Sequence, residues 1–213
     1  MPVDVKICGL TTPETVTCAV EGGAALCGFV FFPPSPRNLE PVAAKPLVNL
    51  VPDGITRVGL LVDADDAFID TLLSHVRLDV LQLHGKETAY RVKEIRERFR
   101  LPVMKAVPVS RIEDLAIGRM YEGFVDHLLF DARPPRGATR PGGNALAFDW
   151  SLLANSDWKV PWLLAGGLNA DNLAEAVRIS GATTLDVSSG VEDAPGVKSP
   201  QKIRQFLELA QEV

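Results

Sequence analysis

Two stretches near the end of the chain decide its fold: Trp162-Leu163-Leu164-Ala165-Gly166-Gly167-Leu168-Asn169 and Leu185-Asp186-Val187-Ser188-Ser189-Gly190-Val191-Glu192. Each begins as an apolar run typical of a buried parallel strand and ends in a glycine-containing turn. Glycines let the backbone approach an anion, and the loops after strands 7 and 8 of a (β/α)8 barrel commonly bind a substrate phosphate. Either turn alone would fit an ordinary αβ connection. The pair predicts a phosphate site at Gly166, Gly167, Ser188, Ser189 and Gly190.

Short apolar runs alternate with amphipathic segments along the whole chain, which predicts βαβ units and a parallel sheet. The predicted strands are Val3–Cys8, Ala25–Phe31, Thr56–Val62, Asp79–Leu83, Pro102–Val107, Asp126–Phe130, Val160–Ala165 and Thr183–Val187. A helical segment is expected after each strand. The one after the sixth strand is expected at Phe148–Asn155, beyond a loop at Pro134–Ala145.

Eight such units in 213 residues indicate an α/β protein with one domain over residues 1–213, a (β/α)8 TIM barrel. A doubly wound open sheet is the structural alternative. It normally has fewer strands at this length and an early glycine-rich turn. The first turn here, Cys8-Gly9-Leu10-Thr11-Thr12, has one glycine.

Charge and composition exclude several classes of partner. The net charge is −5 with no Lys/Arg cluster, so no nucleic-acid partner is expected. No apolar run is long enough to span a bilayer, and the N-terminus lacks a signal-peptide pattern, so a cytoplasmic protein is expected. The three cysteines lack Cys-x-x-Cys spacing and read as reduced thiols, and the three histidines lack metal-ligand spacing. A metal is therefore not expected, and a monomer and a homodimer are both open.

Reactive side chains fall where barrel enzymes carry their chemistry, at the C-terminal ends of strands. Cys8 ends the first strand, where a thiol can serve as a nucleophile or a general base. Asp131 follows the sixth strand and is a candidate acid, although such an Asp can also be a loop residue. Asp186 lies within the eighth strand as a structural acceptor or a ligand contact. Arg37 has a guanidinium fork suited to a carboxylate or a phosphate, and with phosphate already placed, a carboxylate is its natural target.

The chain resembles the phosphoribosylanthranilate isomerase family of tryptophan biosynthesis. The resemblance rests on motifs that follow in order along nearly the whole chain: Lys6-Ile7-Cys8-Gly9-Leu10, Ser35-Pro36-Arg37, Gln82-Leu83-His84-Gly85, Leu129-Phe130-Asp131, Phe148-Asp149-Trp150, Leu164-Ala165-Gly166-Gly167-Leu168 and Asp186-Val187-Ser188-Ser189-Gly190-Val191-Glu192. Each motif alone is weak, but their order at barrel spacing is specific.

The resemblance implies an Amadori rearrangement of N-(5-phosphoribosyl)anthranilate, a small phosphosugar–anthranilate substrate, without a metal or organic cofactor. It implies that Asp131 is the general acid and Cys8 the general base, that Arg37 pairs with the anthranilate carboxylate, and that Asp186 contacts the sugar or amine. The glycine and serine residues of the two late turns resemble the phosphate clamp. Gln82 and His84 are expected only to support the site.

One departure from the family pattern lies in the loop before Phe148. The family often carries Gly-Gly-Thr-Gly there, whereas this chain has Gly142-Gly143-Asn144-Ala145. Alanine takes a positive φ less readily than glycine, so closure of this loop over a substrate is expected to differ.

Three alternative functions stay open from the sequence. The first is the sister isomerase of histidine biosynthesis, which resembles a barrel with aspartates in both catalytic roles and takes a substrate with two phosphates. The second is a bifunctional isomerase for both pathways. The third is a phospholigand-binding barrel without catalysis, which would have no need for both Cys8 and Asp131.

Overall fold

Eight parallel strands close into a barrel in the computed structural model, which describes residues 2–134, 137, 140–143, 147–154 and 156–213. The strands pair in chain order and β8 pairs with β1, so the barrel architecture predicted from the sequence is confirmed. Their bounds, β1 to β8, are Asp4–Cys8, Leu26–Phe31, Thr56–Leu61, Val80–Leu83, Val103–Val109, His127–Ala132, Trp162–Leu164 and Thr184–Val187.

Helices connect successive strands and cover the outside of the barrel. In chain order, α1 to α7 span Pro13–Glu21, Pro41–Val48, Asp66–His75, Ala89–Phe99, Leu115–Tyr121, Leu173–Ser180 and Pro200–Glu212. Thr12, Asp65 and Thr88 cap α1, α3 and α4, because each side chain accepts a hydrogen bond from the backbone N–H three residues later. None of the helices in the described ranges has the length and apolar character needed to cross a membrane.

The α-helix expected at Phe148–Asn155 was a wrong prediction. The segment forms only a short 3₁₀ helix at Trp150–Leu153, and Asn155 lies outside the described residues. The Asp149 carboxylate accepts from both the backbone N–H and the hydroxyl of Ser151, two residues later, which favours a tight turn. The backbone N–H groups of Ala154 and Ser156 donate hydrogen bonds to the carbonyls of Ser151 and Leu153. Each of these bonds spans three residues, the spacing of a 3₁₀ helix and not of an α-helix.

Strand boundaries also differ from the sequence prediction, most clearly in β5, β6 and β7. Strand β5 extends to Val109 and β6 to Ala132, because Pro108 and Val109 stand in register with Asp131 and Ala132. Asp131 therefore lies inside β6 and does not follow it. Strand β7 is only three residues long. After β8 comes an unexpected antiparallel hairpin, with β9 at Glu192–Ala194 and β10 at Val197–Lys198.

The barrel interior is filled in layers by every second residue of the strands, since alternate side chains of a strand point to opposite faces. An apolar cluster of Val58, Val80, Met104, Ala106, Leu129, Leu163 and Ala165 occupies the inside. Above it, Cys8, Val30 and Leu60 form a smaller cluster toward the C-terminal ends of the strands. The same alternation carries Asp131 inward two residues after Leu129, while Phe130 packs outward among the helices.

Phe130 anchors the outer layer beside the site, so we expect Phe130→Ala to destabilise the fold. Its ring is fully buried, with centroids 4.7 Å from Trp158 and 5.7 Å from Trp162. Removing a buried aromatic ring leaves a cavity and typically lowers the free energy of unfolding by about 3–5 kcal/mol. Urea unfolding measures this, with Tyr90→Ala as the control because Tyr90 is 71% exposed. Equal losses in the two variants would contradict the assignment.

Candidate active site

A cleft opens at the C-terminal ends of the strands and brings most of the predicted site residues together. Cys8, Arg37, His84, Asp131 and Asp186 all line it. The cleft is open to solvent and is lined by both apolar and polar side chains, as small-molecule sites commonly are. Gln82 is fully buried beneath the wall and reaches the cleft only through His84.

Cys8 sits on the cleft floor beside a buried ion pair. The Lys6 ammonium donates a hydrogen bond to the Asp186 carboxylate at 2.7 Å, and the two residues are in register on β1 and β8. Burial disfavours the charge on Lys6, but Asp186 and Cys8 outweigh burial and hold the pKa of Lys6 above its ordinary value. Burial raises the pKa of the Cys8 thiol, and the Lys6 ammonium opposes that rise.

The Asp131 carboxyl group is held by the backbone N–H of the next residue and by the imidazole of His84. One carboxylate oxygen accepts from the N–H of Ala132 at 2.8 Å, and the other lies 3.3 Å from Nε2 of His84. Nδ1 of His84 is in turn 3.0 Å from the side-chain amide of Gln82. Gln82, His84 and Asp131 therefore form one chain of contacts, which fixes the imidazole ring against the carboxyl group.

Arg37 already has a carboxylate partner within the protein. Nε and Nη2 bind the two oxygens of Glu192 at 2.6 and 2.7 Å, a bidentate geometry that fixes the plane of the guanidinium. Lys198 binds the same carboxylate at 2.5 Å. Burial would raise the pKa of Glu192, but hydrogen bonds and charge from Arg37 and Lys198 keep it below its usual value. Two cations share one carboxylate, so the cluster carries a net positive charge beside the cleft.

The loops after β7 and β8 also bring their backbones to the cleft. Gly166 and Gly167 have φ of +90° and +66°, a region that favours glycine, and a Cβ on Gly166 would lie 2.7 Å from the N atom of Ala132. Both glycines line the cleft with Ser188 and Ser189. Gly190 is not among the lining residues. A side chain there would collide with the carbonyl of Leu168, so Gly190 lets the two loops pack together.

Part of the loop after β6 comes over the cleft. A Cβ on Gly142 would lie 2.6 Å from the Asp131 carboxylate, and one on Gly143 would lie 2.7 Å from Nη1 of Arg37. These two glycines therefore allow the backbone to approach both groups. The Asn144-Ala145 departure from the family pattern lies outside the described residues.

Sequence reasoning assigned no role to three charged residues of the site: Lys6, Glu192 and Lys198. Lys6 had one usable signal, since it precedes Cys8 by two residues and so shares its inward face. Glu192 and Lys198 act from an unpredicted hairpin, and no local pattern indicates that they meet Arg37. Within the described ranges, no cluster of three or more His, Cys, Asp or Glu side chains has the arrangement of a metal site.

Comparisons with known proteins point to one family. The sequence profile described as N-(5'phosphoribosyl)anthranilate (PRA) isomerase matches residues 5–209. The N-(5'-phosphoribosyl)anthranilate isomerase of Paramagnetospirillum magneticum is 57% identical over 210 residues, which cover 99% of this chain and 98% of that protein. The chain belongs to this isomerase family. The Rhodospirillum rubrum member is 52% identical over 212 residues, covering 98% of this chain and 97% of that protein.

Solved structures of the isomerase family share the fold. The crystal structure of the Thermotoga maritima member has a TM-score of 0.89 and 36% identity, covering 99% of this chain and all of that one. A second structure, with a TM-score of 0.86, 35% identity and the same coverages, contains reduced 1-(o-carboxyphenylamino)-1-deoxyribulose 5-phosphate. A further Thermotoga maritima structure, of monomers generated from a dimeric isomerase, has a TM-score of 0.85, 35% identity and the same coverages.

The ion pairs of Glu192 make a contribution to the stability of the fold that depends on pH and that Glu192→Gln removes. The pKa of the Glu192 carboxyl group in the folded state lies below the ordinary value of 4.5. The carboxylate therefore stabilises the fold above that pH, and its contribution is lost as the pH falls through the folded-state pKa. Breaking a buried ion pair from one side typically costs about 3–5 kcal/mol.

We expect urea unfolding near neutral pH to show a loss of that size for Glu192→Gln. The difference from the wild type should shrink as the pH falls below 4.5. Glu97→Gln is the control, because Glu97 pairs with Lys93 on the exposed surface. A difference that stays constant on acidification would contradict the assignment.

Proposed function

We propose that the cleft carries out the reaction of its family through an acid–base pair, Asp131 and Cys8. As a family member, the chain is an isomerase of tryptophan biosynthesis, converting N-(5'-phosphoribosyl)anthranilate into 1-(2-carboxyphenylamino)-1-deoxyribulose 5-phosphate. The observation that supports these roles is the placement of both groups in one cleft, which Arg37 of the cationic cluster and the two glycine-containing loops also line.

Asp131 acts first, as the general acid. A proton passes from its carboxyl group to the furanose ring oxygen, the C1–O bond breaks, and the lone pair of the anthranilate nitrogen forms the iminium ion. The contact with Nε2 of His84 holds the carboxyl group in position for this transfer. Gln82 supports the histidine from below.

Cys8 then acts as the general base. Its thiolate takes the proton from C2, and the electron pair of that C–H bond moves to form the enolamine, which tautomerises to the ketone. The iminium ion makes the C2 proton acidic, so a base of moderate strength is sufficient. The substrate itself supplies the electron sink, and the mechanism therefore requires no metal or organic cofactor.

Binding uses two sets of groups that line the cleft. The Arg37 cluster has one more positive than negative charge, and we assign to it the anthranilate carboxylate. The phosphate group is assigned to Gly166, Gly167, Ser188 and Ser189, with Gly190 allowing the two loops to meet. Asp186 also lines the cleft, and we assign to it the contact with the sugar or amine.

Three broader features are part of the proposal. Residues 1–213 form one domain, and the protein works in the cytoplasm on a small molecule, without nucleic acid or membrane. The assembly is a monomer or a homodimer, which the dimeric Thermotoga maritima relative makes reasonable. Analytical ultracentrifugation of the full chain distinguishes the two states.

The first test of the activity follows the fluorescence of freshly generated phosphoribosylanthranilate with chelator present and no added metal. Rapid loss above the spontaneous background, with the aminoketose identified as the product, supports the isomerase. No acceleration contradicts the proposal. Turnover of the histidine-pathway aminoaldose in a parallel assay would instead favour that isomerase or a bifunctional one.

Cys8→Ala and Asp131→Asn test the catalytic pair. Each removes a group that moves a proton, so we expect kcat/KM to fall by about 10²–10⁴-fold. Unchanged far-ultraviolet circular dichroism shows that the fold is intact, and Cys18→Ala serves as the matched control, because Cys18 is a buried thiol on α1 away from the cleft. Full turnover by either site variant would overturn its assigned role.

Arg37→Lys separates carboxylate binding from proton transfer. Lysine keeps the charge but lacks the planar fork that binds Glu192 on one edge and leaves Nη1 toward Gly143. We expect KM to rise more strongly than kcat falls in steady-state kinetics. A loss confined to kcat would contradict the binding role.

A further inference from the structure

Lys6 is a buried charge that the mechanism above does not use. Its side chain is completely inaccessible to solvent, on the inward face of β1 two residues before Cys8. A fully buried lysine is rare unless it is paired, because taking the ammonium out of water is costly. Asp186 supplies that pairing. A lysine–aspartate pair is nevertheless not needed to fill a barrel whose neighbouring interior positions are apolar.

The space around Lys6 leads to Cys8. A Cβ built on Gly28 of β2 would lie 3.2 Å from both Cys8 Sγ and Lys6 Cε. The two side chains therefore meet over the same glycine, which has no side chain to separate them. The Lys6 side chain therefore packs beside the thiol of Cys8, while its ammonium group binds the carboxylate of Asp186.

Other groups face Cys8 from the elements packed around it. Lys198 of β10 contributes a second, more weakly acting positive charge, and Asp186 of β8 contributes a negative one. Arg37, His84 and Asp131 lie on the surrounding walls of the cleft. From β2 and β3 the neighbours are apolar, namely Val30 and Leu60. Of the positive charges that act on the thiol, Lys6 is the stronger one.

We propose that Lys6 is a positioning residue for the base of this isomerase: its ammonium stabilises the thiolate of Cys8, and Asp186 fixes the ammonium in place. The inference rests on the proposed role of Cys8 as the base. It also gives Asp186 a second role, because the carboxylate competes with the thiolate for the same cation. Burial acts against the thiolate, and Lys6 offsets part of that effect.

The experiment titrates Cys8 directly, without substrate, so its outcome is separate from the test of the isomerase activity. The full-length protein is alkylated with iodoacetamide across a range of pH, and mass spectrometry follows the peptide that contains Cys8. The midpoint of the plot of alkylation rate against pH gives the pKa of the Cys8 thiol. The identity of the alkylated peptide distinguishes Cys8 from Cys18 and Cys27. The variants are Lys6→Met, Asp186→Asn and the double variant.

We expect the midpoint for Cys8 alkylation to shift in opposite directions in the two single variants. Lys6→Met should raise the midpoint by about one to three units, the usual effect of a close opposite charge, and slow alkylation near neutral pH by about tenfold or more. Asp186→Asn should lower the midpoint, and the double variant should lie between them. The acidic limb of the kcat/KM profile should move in the same directions. A control removes a buried pair that does not line the cleft, Lys105→Met with Glu87→Gln, and should leave the midpoint unchanged.

An unshifted midpoint in Lys6→Met overturns the proposal, and so do shifts of both single variants in the same direction, since a purely structural role would produce them. If Lys6→Met does not fold, as judged by circular dichroism, Lys6→Gln replaces it, because glutamine also removes the charge but can still donate a hydrogen bond to Asp186. A higher midpoint in that variant supports the proposal, and an equal or lower one overturns it. An inactive wild type whose variants show the opposite shifts would overturn the isomerase assignment and not the charge coupling.

Discussion

The constraint on which this structure depends is the closure of eight parallel strands into a ring with alternating side chains. Closure brings β8 beside β1, and alternation turns every second side chain of both strands toward the axis. Below, those positions are apolar and pack into a solid core. At the C-terminal ends they carry a thiol and carboxyl groups. In the proposed mechanism, the groups that move protons therefore stand on rigid strands, and the loops supply only binding.

Buried charge in the site is arranged in two groups of different net charge. Lys6 and Asp186 form a neutral pair on the barrel floor. The Arg37, Glu192 and Lys198 cluster carries one more positive charge than negative. An isolated buried charge is costly, so a ligand carboxylate at this cluster would restore neutrality where the protein leaves it incomplete. The free protein is therefore electrostatically prepared for an anionic ring substituent, despite its net charge of −5.

Local sequence patterns predicted the parts of the molecule that local forces determine. The strand runs and the placement of Cys8 at the C-terminal end of the first strand follow from local apolar patterns and alternation within a few residues. The helix at Phe148–Asn155 was predicted wrongly because the Asp149 side chain favours a tight turn over a helical one. The end of β6 was predicted too early, because its pairing with β5 and not its own composition sets its length.

What the sequence could not indicate was contact between distant segments. Glu192 meets Arg37 across 155 positions of the chain, and Asp186 meets Lys6 across 180. Nothing in the neighbourhood of either residue encodes such a meeting. Arg37 was assigned to a carboxylate because its guanidinium fork suits one. In the structure, the carboxylate that it binds belongs to Glu192 of the protein itself. Fewer N–H groups of the guanidinium are therefore left for a ligand.

The span between Lys6 and Asp186 has a consequence for how the protein is made. Lys6 leaves the ribosome 180 residues before its partner. At synthesis rates of about 5–20 residues per second, that interval is on the order of ten to forty seconds. Throughout it, burial of the ammonium has no compensating carboxylate, so β1 cannot take up its final environment in a nascent chain. The floor of the site is therefore among the last parts of the molecule to assemble, when the two ends of the chain meet.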